Sequence, residues 1–490
     1  MSEPITRRKA LTLGALGIGA IAAGATGLVV TQSSDDTTVG DPGEAWIEPP
    51  VLTSENGVLE MDLDVAETDV TVGGATVRML TYNGSVPGPT LHLRPGDRLR
   101  VHLRNSLDRP TNLHTHGLSV SATGNSDNPF LRIGPGGTFD YEIDLPDDHP
   151  SGVCWYHPHH HGTVAAQLFG GLYGAIIVDT EDWATAAPRV VIVSDTTITD
   201  GRVADVSQMD RMAGRTGESL LTNGRIGPVL RAPAGSSERL LLINACSSRY
   251  LDLQLGGFDA QVRGRDSTRL PSPAATDRLL LAPGNRADVV VTVGSSSADL
   301  IAAAFDRGQM GMGMMGGQST TAPEATVLSV VPDAQAPAPV VAEVAPTPLP
   351  DLRSRATVAT RTLTMSMGGL AGGGGGMGGG GMGMRFVIDG QAFDPDRIDQ
   401  SVRIGTVEEW TIVNQSPMNH PFHLHIWPMQ LIRAAGADIS GVEFRDVIDV
   451  PARQSVTVRI AFDRFPGNTV YHCHILDHED LGMMGVVQAR

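Results

Sequence analysis

One β-strand pattern occurs three times along this chain, and it limits the folds that the chain can adopt. Each copy runs from a glycine to an asparagine nine residues later, at 96–105, 235–244 and 405–414. In the first copy Leu99, Val101 and Leu103 alternate with polar residues, as in a strand with one buried face. A proline and another strand-like segment follow each copy, beginning at Pro135, Pro283 and Pro451. Three copies of one unit predict three similar domains.

The length and turn content of the chain agree with that repeat. At 490 residues the chain is too long for one ordinary domain and suits three of roughly 150 residues each. Short strands, frequent Gly and Pro and little helical periodicity favour an all-β fold of Greek-key β-sandwiches or barrels. The predicted first, middle and third domains are 46–183, 188–332 and 356–490. Residues 334–355, rich in Pro, Ala and Val, predict an extended linker.

Residues 1–35 are predicted to be an export signal and a tether. Thr6-Arg7-Arg8-Lys9 precedes an uncharged run from Ala10 to Val30, a pattern similar to a twin-arginine signal. A retained membrane anchor is the alternative, since a run of this length could span a bilayer. Its Gly and Ala content favours a signal. We therefore expect a periplasmic, cell-envelope or secreted protein without stable membrane insertion, and the sequence does not decide where the signal is cleaved.

The net charge of the chain is −18. Such a charge argues against nucleic acid or an anionic membrane as a partner and favours cations. Solubility alone is the plainer explanation of the same charge.

Histidine is concentrated in segments that contain a His-x-His step. The four steps are His114-Thr115-His116, His157-Pro158-His159, His423-Leu424-His425 and His472-Cys473-His474. On a strand, residues i and i+2 project to the same side, so each step can present two imidazoles together. Imidazole suits copper, and eight imidazoles suit several ions that share one site. A single step is a weak signal, but four of them with a cysteine centred in one are specific.

The last step also indicates a second kind of metal site. Cys473 should face away from its two histidine neighbours. A thiolate, two imidazoles and a weak thioether are the donors of a blue copper centre. Cys473, His478 and Met483 supply three of these donors, and His420 is the candidate for the second imidazole. One strand would then connect a mononuclear copper to a copper cluster.

These motifs resemble those of the multicopper oxidase family over essentially the whole mature chain. The resemblance implies three cupredoxin-like domains and four copper ions: one type 1, one type 2 and two type 3. It places type 1 copper on His420, Cys473, His478 and Met483, and type 2 copper on His114 and His423. It places the type 3 pair on His116, His157, His159, His425, His472 and His474. It further implies one-electron oxidation of a substrate and four-electron reduction of O2 to water. Because three linked domains can complete the copper sites within one chain, we expect a monomer.

Reduction of oxygen needs protons, so a carboxylate beside the cluster is expected. The family has one shortly after the first histidine motif, and Asp127 is the candidate, although its spacing from His116 is longer than usual. Glu479 directly follows His478 and matches a second acidic position of the family. The sequence does not decide which of them supplies the protons.

The remaining cysteines and histidines have simpler interpretations. With Cys473 as a ligand, Cys154 and Cys246 can either form a disulfide or remain two buried thiols. His92, His102 and His149 are predicted to lie on the surface.

Methionine marks the predicted substrate site. One Gly/Met-rich stretch spans 310–315, and a second forms an insert at 365–384 with Met365, Met377, Met382 and Met384. Thioethers prefer Cu(I), and Met418 lies two residues before His420. The pattern is similar to that of bacterial copper-efflux oxidases, which oxidise Cu(I) to Cu(II). This resemblance implies that Met365 and Met418 of the present chain bind substrate copper. The chain departs from that subgroup at Ser416 and Leu370, where the subgroup has aspartates.

Four functions therefore stay open. The first is a cuprous oxidase, and the second is a laccase-like oxidase of phenols and aromatic amines. The third is oxidation of another metal ion such as Mn(II) or Fe(II). The fourth is a periplasmic copper-sequestering protein, although storage needs no oxygen-reducing cluster. The Gly/Met-rich stretches can also be low-complexity loops without a ligand role, and the sequence does not show how they are ordered.

Overall fold

The computed structural model describes residues 43–180, 188–308, 320–336, 350–368 and 384–490. Strands dominate these ranges, which confirms the predicted all-β class. The predicted export signal lies outside the described residues, as do most of the predicted linker and residues 369–383 of the Gly/Met-rich insert. No helix within the described ranges is long and apolar enough to cross a membrane.

The first part of the chain contributes to two sheets. Its strands are β1 (Val51–Thr53), β2 (Val58–Val72), β3 (Ala75–Tyr82), β4 (Thr90–Leu93), β5 (Arg98–Asn105), β6 (His114–His116), β7 (Thr138–Asp144), β8 (Gly152–His157) and β9 (Gly174–Val178). Helix α1 (Val164–Gly170) lies between β8 and β9. One sheet has the order β1-β4-β9-β8-β6, and the other contains β3-β2-β5-β7.

The middle part of the chain forms two larger sheets and a short ribbon. Its strands are β10 (Arg189–Thr196), β11 (Ile198–Thr199), β12 (Arg202–Val203), β13 (Ser219–Thr222), β14 (Val229–Ala232), β15 (Ser237–Asn244), β16 (Leu251–Gln254), β17 (Asp259–Arg265), β18 (Thr268–Ala275), β19 (Arg278–Leu281), β20 (Arg286–Thr292), β21 (Ala298–Ala303), β22 (Phe305–Asp306), β23 (Thr321–Ala322) and β24 (Ala325–Pro332). Helix α2 (Gln208–Ala213) precedes β13. The sheets have the orders β13-β10-β15-β20-β17-β18, β14-β24-β21-β16-β19 and β22-β23.

The last part of the chain forms a seven-stranded and a five-stranded sheet. Its strands are β25 (Thr357–Gly368), β26 (Arg385–Ile388), β27 (Gln400–Val402), β28 (Thr406–Asn414), β29 (His420–Leu424), β30 (Met429–Ala434), β31 (Ala437–Asp438), β32 (Phe444–Arg445), β33 (Val447–Val450), β34 (Ser455–Phe462), β35 (Gly467–Cys473) and β36 (Met484–Ala489). A 3-10 turn, Leu352–Ser354, precedes them, and helix α3 (Leu476–Asp480) follows β35. The sheets have the orders β26-β25-β28-β34-β30-β31, with β32 beside β30, and β27-β36-β35-β29-β33.

The repeated sequence pattern is a repeated strand pair. The three copies form β5, β15 and β28, and each pairs antiparallel with the strand after its proline: β7, β20 and β34. The last residue of each copy has the same role. The side-chain amides of Asn105, Asn244 and Asn414 donate to the carbonyls of Ile133, Leu281 and Val450, which lie just before those prolines. The asparagine thereby fastens the end of one strand to the start of the connection that leads to its partner.

The sheets group along the sequence with one exception. The short β11–β12 hairpin of the middle part joins the first part, because Arg202 of β12 pairs with Arg78 of β3. The division into three domains stays a prediction. This hairpin follows the first predicted boundary in sequence but pairs with a strand that precedes that boundary.

Candidate metal centres

Two pairs of strands bring the four His-x-His steps together. In the first pair, β6 is antiparallel to β8, and His114 lies opposite His157. In the second pair, β29 is antiparallel to β35, and His423 lies opposite His472. Two steps are therefore adjacent within each pair, although the whole middle part of the chain separates the two pairs in sequence.

All eight histidines of these steps are buried and face one another between the two strand pairs. The ring of His114 stacks on His425, and that of His116 stacks on His423, each with 3.9 Å between ring centroids. Nε2 of His472 lies 3.2 Å from Nε2 of His159 and 3.3 Å from Nε2 of His425. We call this set the histidine cluster.

Two groups within the histidine cluster have ligand atoms within 4.8 Å of one another: His114 with His423 and His425, and His159 with His425 and His472. The first group contains the pair predicted for type 2 copper. The second contains three of the six histidines predicted for type 3 copper. The rings of the other three, His116, His157 and His474, have centroids 5.0 to 5.9 Å apart. The assignment of each histidine to one ion stays a prediction.

The chemistry of the cluster suits metal ions. Nδ1 of His157 and of His423 lies within hydrogen-bonding distance of a backbone carbonyl, that of Pro158 and of Asp446. Nε2 of these two rings, and of His114, is buried and has no hydrogen-bond partner among the described residues. An imidazole that donates from Nδ1 presents the lone pair of Nε2, which is how metal-bound histidines are oriented. The cluster therefore fits copper.

Burial keeps these histidines neutral. It lowers the pKa of His159 and His472 to about 4, and it lowers the pKa of the other six well below the usual histidine value. Neighbouring histidines lower most of these pKa values further. A neutral imidazole keeps the lone pair that a metal ion needs.

A second centre lies on the other face of β35. Sγ of Cys473 is 3.2 Å from Nδ1 of His420 and 4.0 Å from Nδ1 of His478, and the two Nδ1 atoms are 3.3 Å apart. Met483 is fully buried, and its carbonyl accepts from the backbone N–H of Cys473. The structure thus brings three of the four donors predicted for type 1 copper together and places Met483 beside the strand that bears the cysteine. A thiolate with two imidazoles is the donor set of a blue copper centre.

Asp127, a candidate proton donor, contacts the histidine cluster. Nδ1 of His114 lies 3.0 Å from both carboxylate oxygens, and the backbone N–H of Thr115 donates to Asp127 at 2.8 Å. Burial raises the pKa of Asp127 to about 7, against the effect of the Thr115 N–H.

Glu479 contacts two other histidines of the cluster. Its Oε2 is 3.1 Å from Nδ1 of His472, and its Oε1 is 3.5 Å from Nε2 of His159. Burial raises the pKa of Glu479 to about 7. The next residue, Asp480, accepts from the backbone N–H groups of Gly162 and Ala165, which ties α3 to the start of α1.

Two predicted substrate methionines lie close to the second centre. Met418 and Met365 are fully buried. Met365 of β25 pairs with Asn414 of β28, whose side-chain amide donates to the carbonyl of Met418. Met384 is half-buried and packs against the same core, whereas Met377 and Met382 lie outside the described residues.

Several residues around these centres were not predicted from the sequence. The carbonyl of Met212, in α2, lies 3.2 Å from Nε2 of His478. The carboxylate of Asp449 accepts from Tyr250 and from Asn419, the residue before His420. No short motif marks these residues, because each acts through a contact between distant parts of the chain.

Ser416 does not replace the missing aspartate of the copper-efflux subgroup. Its hydroxyl is buried and lies within hydrogen-bonding distance of the Asn414 side-chain oxygen and the Met418 carbonyl. Leu370, the second position of this departure, lies outside the described residues.

The structure also answers the open question about the cysteines. Cys154 and Cys246 are separate buried thiols rather than a disulfide.

The prediction of surface positions was wrong for His92 and His149, which are buried. Nε2 of His92 is hydrogen-bonded to the carboxylate of Asp179 at 2.8 Å. Strand β4, which contains His92, lies between two other strands with all four of its residues buried, so an alternating pattern could not reveal its environment.

Comparisons with known proteins agree with this geometry. Two sequence models described as multicopper oxidase match residues 64–182 and 375–490, which contain all of the predicted copper ligands. The multicopper oxidase mco of Staphylococcus aureus is 25% identical over 425 residues, which cover 84% of this chain and 83% of that protein. The cell division protein FtsP of Photorhabdus laumondii is 26% identical, and the match covers 95% of each chain.

A solved structure gives the same result for the fold. The multicopper oxidase of Campylobacter jejuni, described as a metallo-oxidase, superposes with a TM-score of 0.76 at 28% identity. The match covers 91% of this chain and 95% of that one. The sheets described above are therefore those of cupredoxin-fold multicopper oxidases, as predicted. This chain belongs to the multicopper oxidase family, whose members use copper to oxidise a substrate with O2.

Proposed function

We propose that this protein is a cuprous oxidase, which oxidises Cu(I) to Cu(II), reduces O2 to water and thereby contributes to copper tolerance. The observation that carries the proposal is that described residues flanking both Gly/Met-rich stretches lie beside the candidate type 1 centre. Gly308, the last described residue before the first stretch, forms a β-bridge with Met418. Soft thioether donors would thus be concentrated where electrons enter.

The second stretch connects two strands at the same centre. It joins β25 to β26, and Met367 near the end of β25 pairs with Phe386 of β26. The ring of Phe386 stacks on His478 with 4.4 Å between centroids. A Cu(I) ion bound by methionines of this insert would therefore approach the His478 side of the centre.

The resident ions would number four in this proposal. His420, Cys473, His478 and Met483 would hold one, and the histidine cluster would hold three. When bound, these ions supply one-electron oxidation of the substrate and four-electron reduction of O2. The chain itself links the two centres, because His472 and His474 flank Cys473, the last residue of β35.

The buried carboxylates would manage protons at the cluster. Asp127 would hold a proton at the oxygen atoms that face His114, and Glu479 would do so beside His472. An apolar cavity of about 290 Å³, lined in part by Phe130, Phe393 and His159, would admit a small apolar molecule such as O2. The solvent-excluded histidine cluster would limit side reactions.

A laccase-like activity towards phenols is the second candidate. A phenol would need contact with the imidazole edges of the type 1 centre. His420 and His478 are fully buried, and the carbonyl of Met212 occupies the Nε2 side of His478. These contacts favour the smaller Cu(I) ion. Oxidation of another metal ion would use the same side of the centre but would not explain the methionines.

The ligand set argues against two functions that involve no catalysis. Copper sequestration would need the methionines but not the histidine cluster. A role like that named for FtsP would need neither centre. A complete set of candidate ligands, all of them buried, supports an oxidase instead.

The test is steady-state oxygen consumption by the copper-loaded protein with Cu(I) and, separately, with dimethoxyphenol. We expect a much higher kcat/KM for Cu(I). Deletion of residues 371–383, or the substitution Met418→Leu, should lower kcat/KM for Cu(I) more than for the phenol. Met61→Leu, in the core of the first part of the chain, is the matched control and should change neither value.

Each other outcome would point to a different function or to a different role of the insert. Fast phenol turnover with slow Cu(I) oxidation would make the protein a laccase. Equal losses for both substrates would make the Gly/Met-rich insert structural. Copper binding without oxygen consumption would indicate sequestration. We also propose export by the twin-arginine route and a monomeric state, which signal-fusion export assays and light scattering would test.

A further inference from the structure

The middle part of the chain supplies no predicted copper ligand, yet one of its arginines lies against the histidine cluster. Arg286, the first residue of β20, is fully buried. Its Nη1 and Nη2 donate to the two carboxylate oxygens of Asp446 at 2.5 and 2.6 Å. Its Nε donates to the carbonyl of Val153 in β8, at 2.8 Å. This one side chain therefore joins all three parts of the chain.

Asp446 in turn contacts two predicted copper ligands. Its carbonyl accepts from Nδ1 of His423 at 2.7 Å, and its carboxylate is 3.8 Å from Nδ1 of His116. The rings of His116 and His423 stack on each other, one from β6 and the other from β29. The main-chain and side-chain oxygens of Asp446 thus face histidines from both ends of the sequence.

A second carboxylate fixes the backbone of both members of this pair. Asp266 accepts from the backbone N–H of Arg286 at 3.0 Å and from the backbone N–H of Asp446 at 3.2 Å. The guanidinium and the carboxylate can therefore shift little relative to each other. Paired and hydrogen-bonded in this way, buried charges can persist in the interior.

Two glycines make room for the contact. A Cβ atom on Gly117, the residue after His116, would lie 2.2 Å from Nη2 of Arg286. A Cβ atom on Gly284 would lie 2.7 Å from Nε2 of His474. The residue after His116 thus lies directly against the guanidinium of Arg286, and the turn before β20 lies directly against His474.

We propose that Arg286 is a positioning residue for the histidine cluster: it orients Asp446 so that His116 and His423 keep the geometry needed to bind copper. Residues that orient metal ligands typically affect metal affinity by about 10-fold to 100-fold. The inference rests on the proposed oxidase function, because it assumes that the cluster binds copper.

The first test is the double substitution Arg286→Met with Asp446→Leu, which removes both charges and replaces the pair with apolar side chains. Apolar replacement of a buried ion pair often preserves stability, so the variant should fold. We expect the blue band of type 1 copper to remain. The type 2 signal in electron paramagnetic resonance should weaken, and affinity for that copper in chelator competition should fall about 10-fold or more.

Arg286→Lys is the second variant in case the double variant does not fold. It keeps the positive charge but loses the bidentate hydrogen bonding to Asp446. The type 2 hyperfine splitting should therefore change while the blue band stays the same. Arg239→Lys is the matched control, because Arg239 makes a similar buried pair with Asp288. It should lower the melting temperature comparably and leave the type 2 signal unchanged.

The outcomes separate this inference from the proposed function. Normal copper content and an unchanged type 2 signal in both Arg286 variants would overturn the positioning role. Equal changes in the Arg239 variant would also overturn it, because the effect would then be general destabilisation. Wild-type protein that binds no copper at the cluster would instead contradict the proposed function.

Discussion

The two candidate copper centres differ in how much of the chain each one needs. The mononuclear centre takes its donors from residues 420–483, which lie in one part of the chain. The histidine cluster takes half of its ligands from β6, β8 and the residues after β8, and half from β29, β35 and the residues that follow each of them. One centre therefore depends on the register of neighbouring strands, whereas the other depends on how distant parts of the molecule pack together.

This difference teaches where each centre is vulnerable. A change within the last part of the chain can remove the mononuclear centre alone. A change at the contact between the two strand pairs, or at Arg286 of the middle part, can affect the cluster while sparing the blue centre. The segment His472-Cys473-His474 is the exception, since it belongs to both centres.

The substitution Cys473→Ser should have the largest effect, because it acts where the two centres meet. A serine hydroxyl does not replace a soft thiolate, so the blue band should disappear and oxygen consumption should stop with either substrate. Absorption spectra and oxygen uptake check this. Cys246→Ser, at a buried thiol of the middle part, is the control and should remain blue. A blue Cys473→Ser protein would rule out the type 1 assignment.

The substitution His423→Ala should break the cluster and spare the mononuclear centre. His423 stacks on His116 and lies opposite His472, so its loss removes a ligand at the contact between the strand pairs. Oxygen consumption should fall to background while the blue band persists. The reciprocal variant His420→Ala should lose the blue band. If His423→Ala kept wild-type turnover, His423 would not belong to the cluster.

The substitution Asp127→Asn should slow oxygen reduction without removing a ligand. Asparagine keeps the shape of the side chain beside His114 but cannot deliver a proton, and loss of such a group typically costs about 100-fold or more. Anaerobic reduction of the blue centre by substrate should proceed at the wild-type rate. Stopped-flow absorbance separates the two steps. A variant with normal oxygen turnover would show that the protons come from elsewhere.

The parts of this picture that the sequence predicted are local ones. Alternation placed Leu99, Val101 and Leu103 on one buried face of β5, and the same pattern located β15 and β28. The spacing of the His-x-His steps predicted that two imidazoles of a step lie together. Each of these inferences needs only the geometry of a strand, which is encoded within a few residues.

The parts that the sequence did not predict depend on packing between distant residues. Arg286 and Asp446 are 160 residues apart, and nothing near either one marks the pair. Met212 reaches His478 from 266 residues away. The burial of His92 was not predicted because both faces of its strand are covered. Such a strand lacks the alternation of apolar and polar residues that would reveal a buried face. The fold and the gathering of the histidines were thus predictable, whereas the residues that hold these histidines in place were not.

A histidine outside both centres gives the smallest predicted effect and a contrast to the buried ligands. His102 on β5 is 42% exposed and lies within 2.9 Å of Glu60 and 2.8 Å of Asp140. These two carboxylates raise the pKa of His102 to about 8, whereas burial lowers the pKa of the cluster histidines.

Because the pKa of His102 is higher in the folded protein than in the unfolded chain, the protonated ring stabilises the fold. This contribution is complete below the unfolded pKa of about 6.5 and is lost as the pH rises through about 8. His102→Gln should therefore lower the melting temperature slightly in acidic buffer and leave it unchanged in alkaline buffer, with the blue band intact throughout. Added salt should reduce the difference, because both partners are exposed. A melting difference independent of pH would show that packing of the ring, rather than its charge, is what the substitution removes.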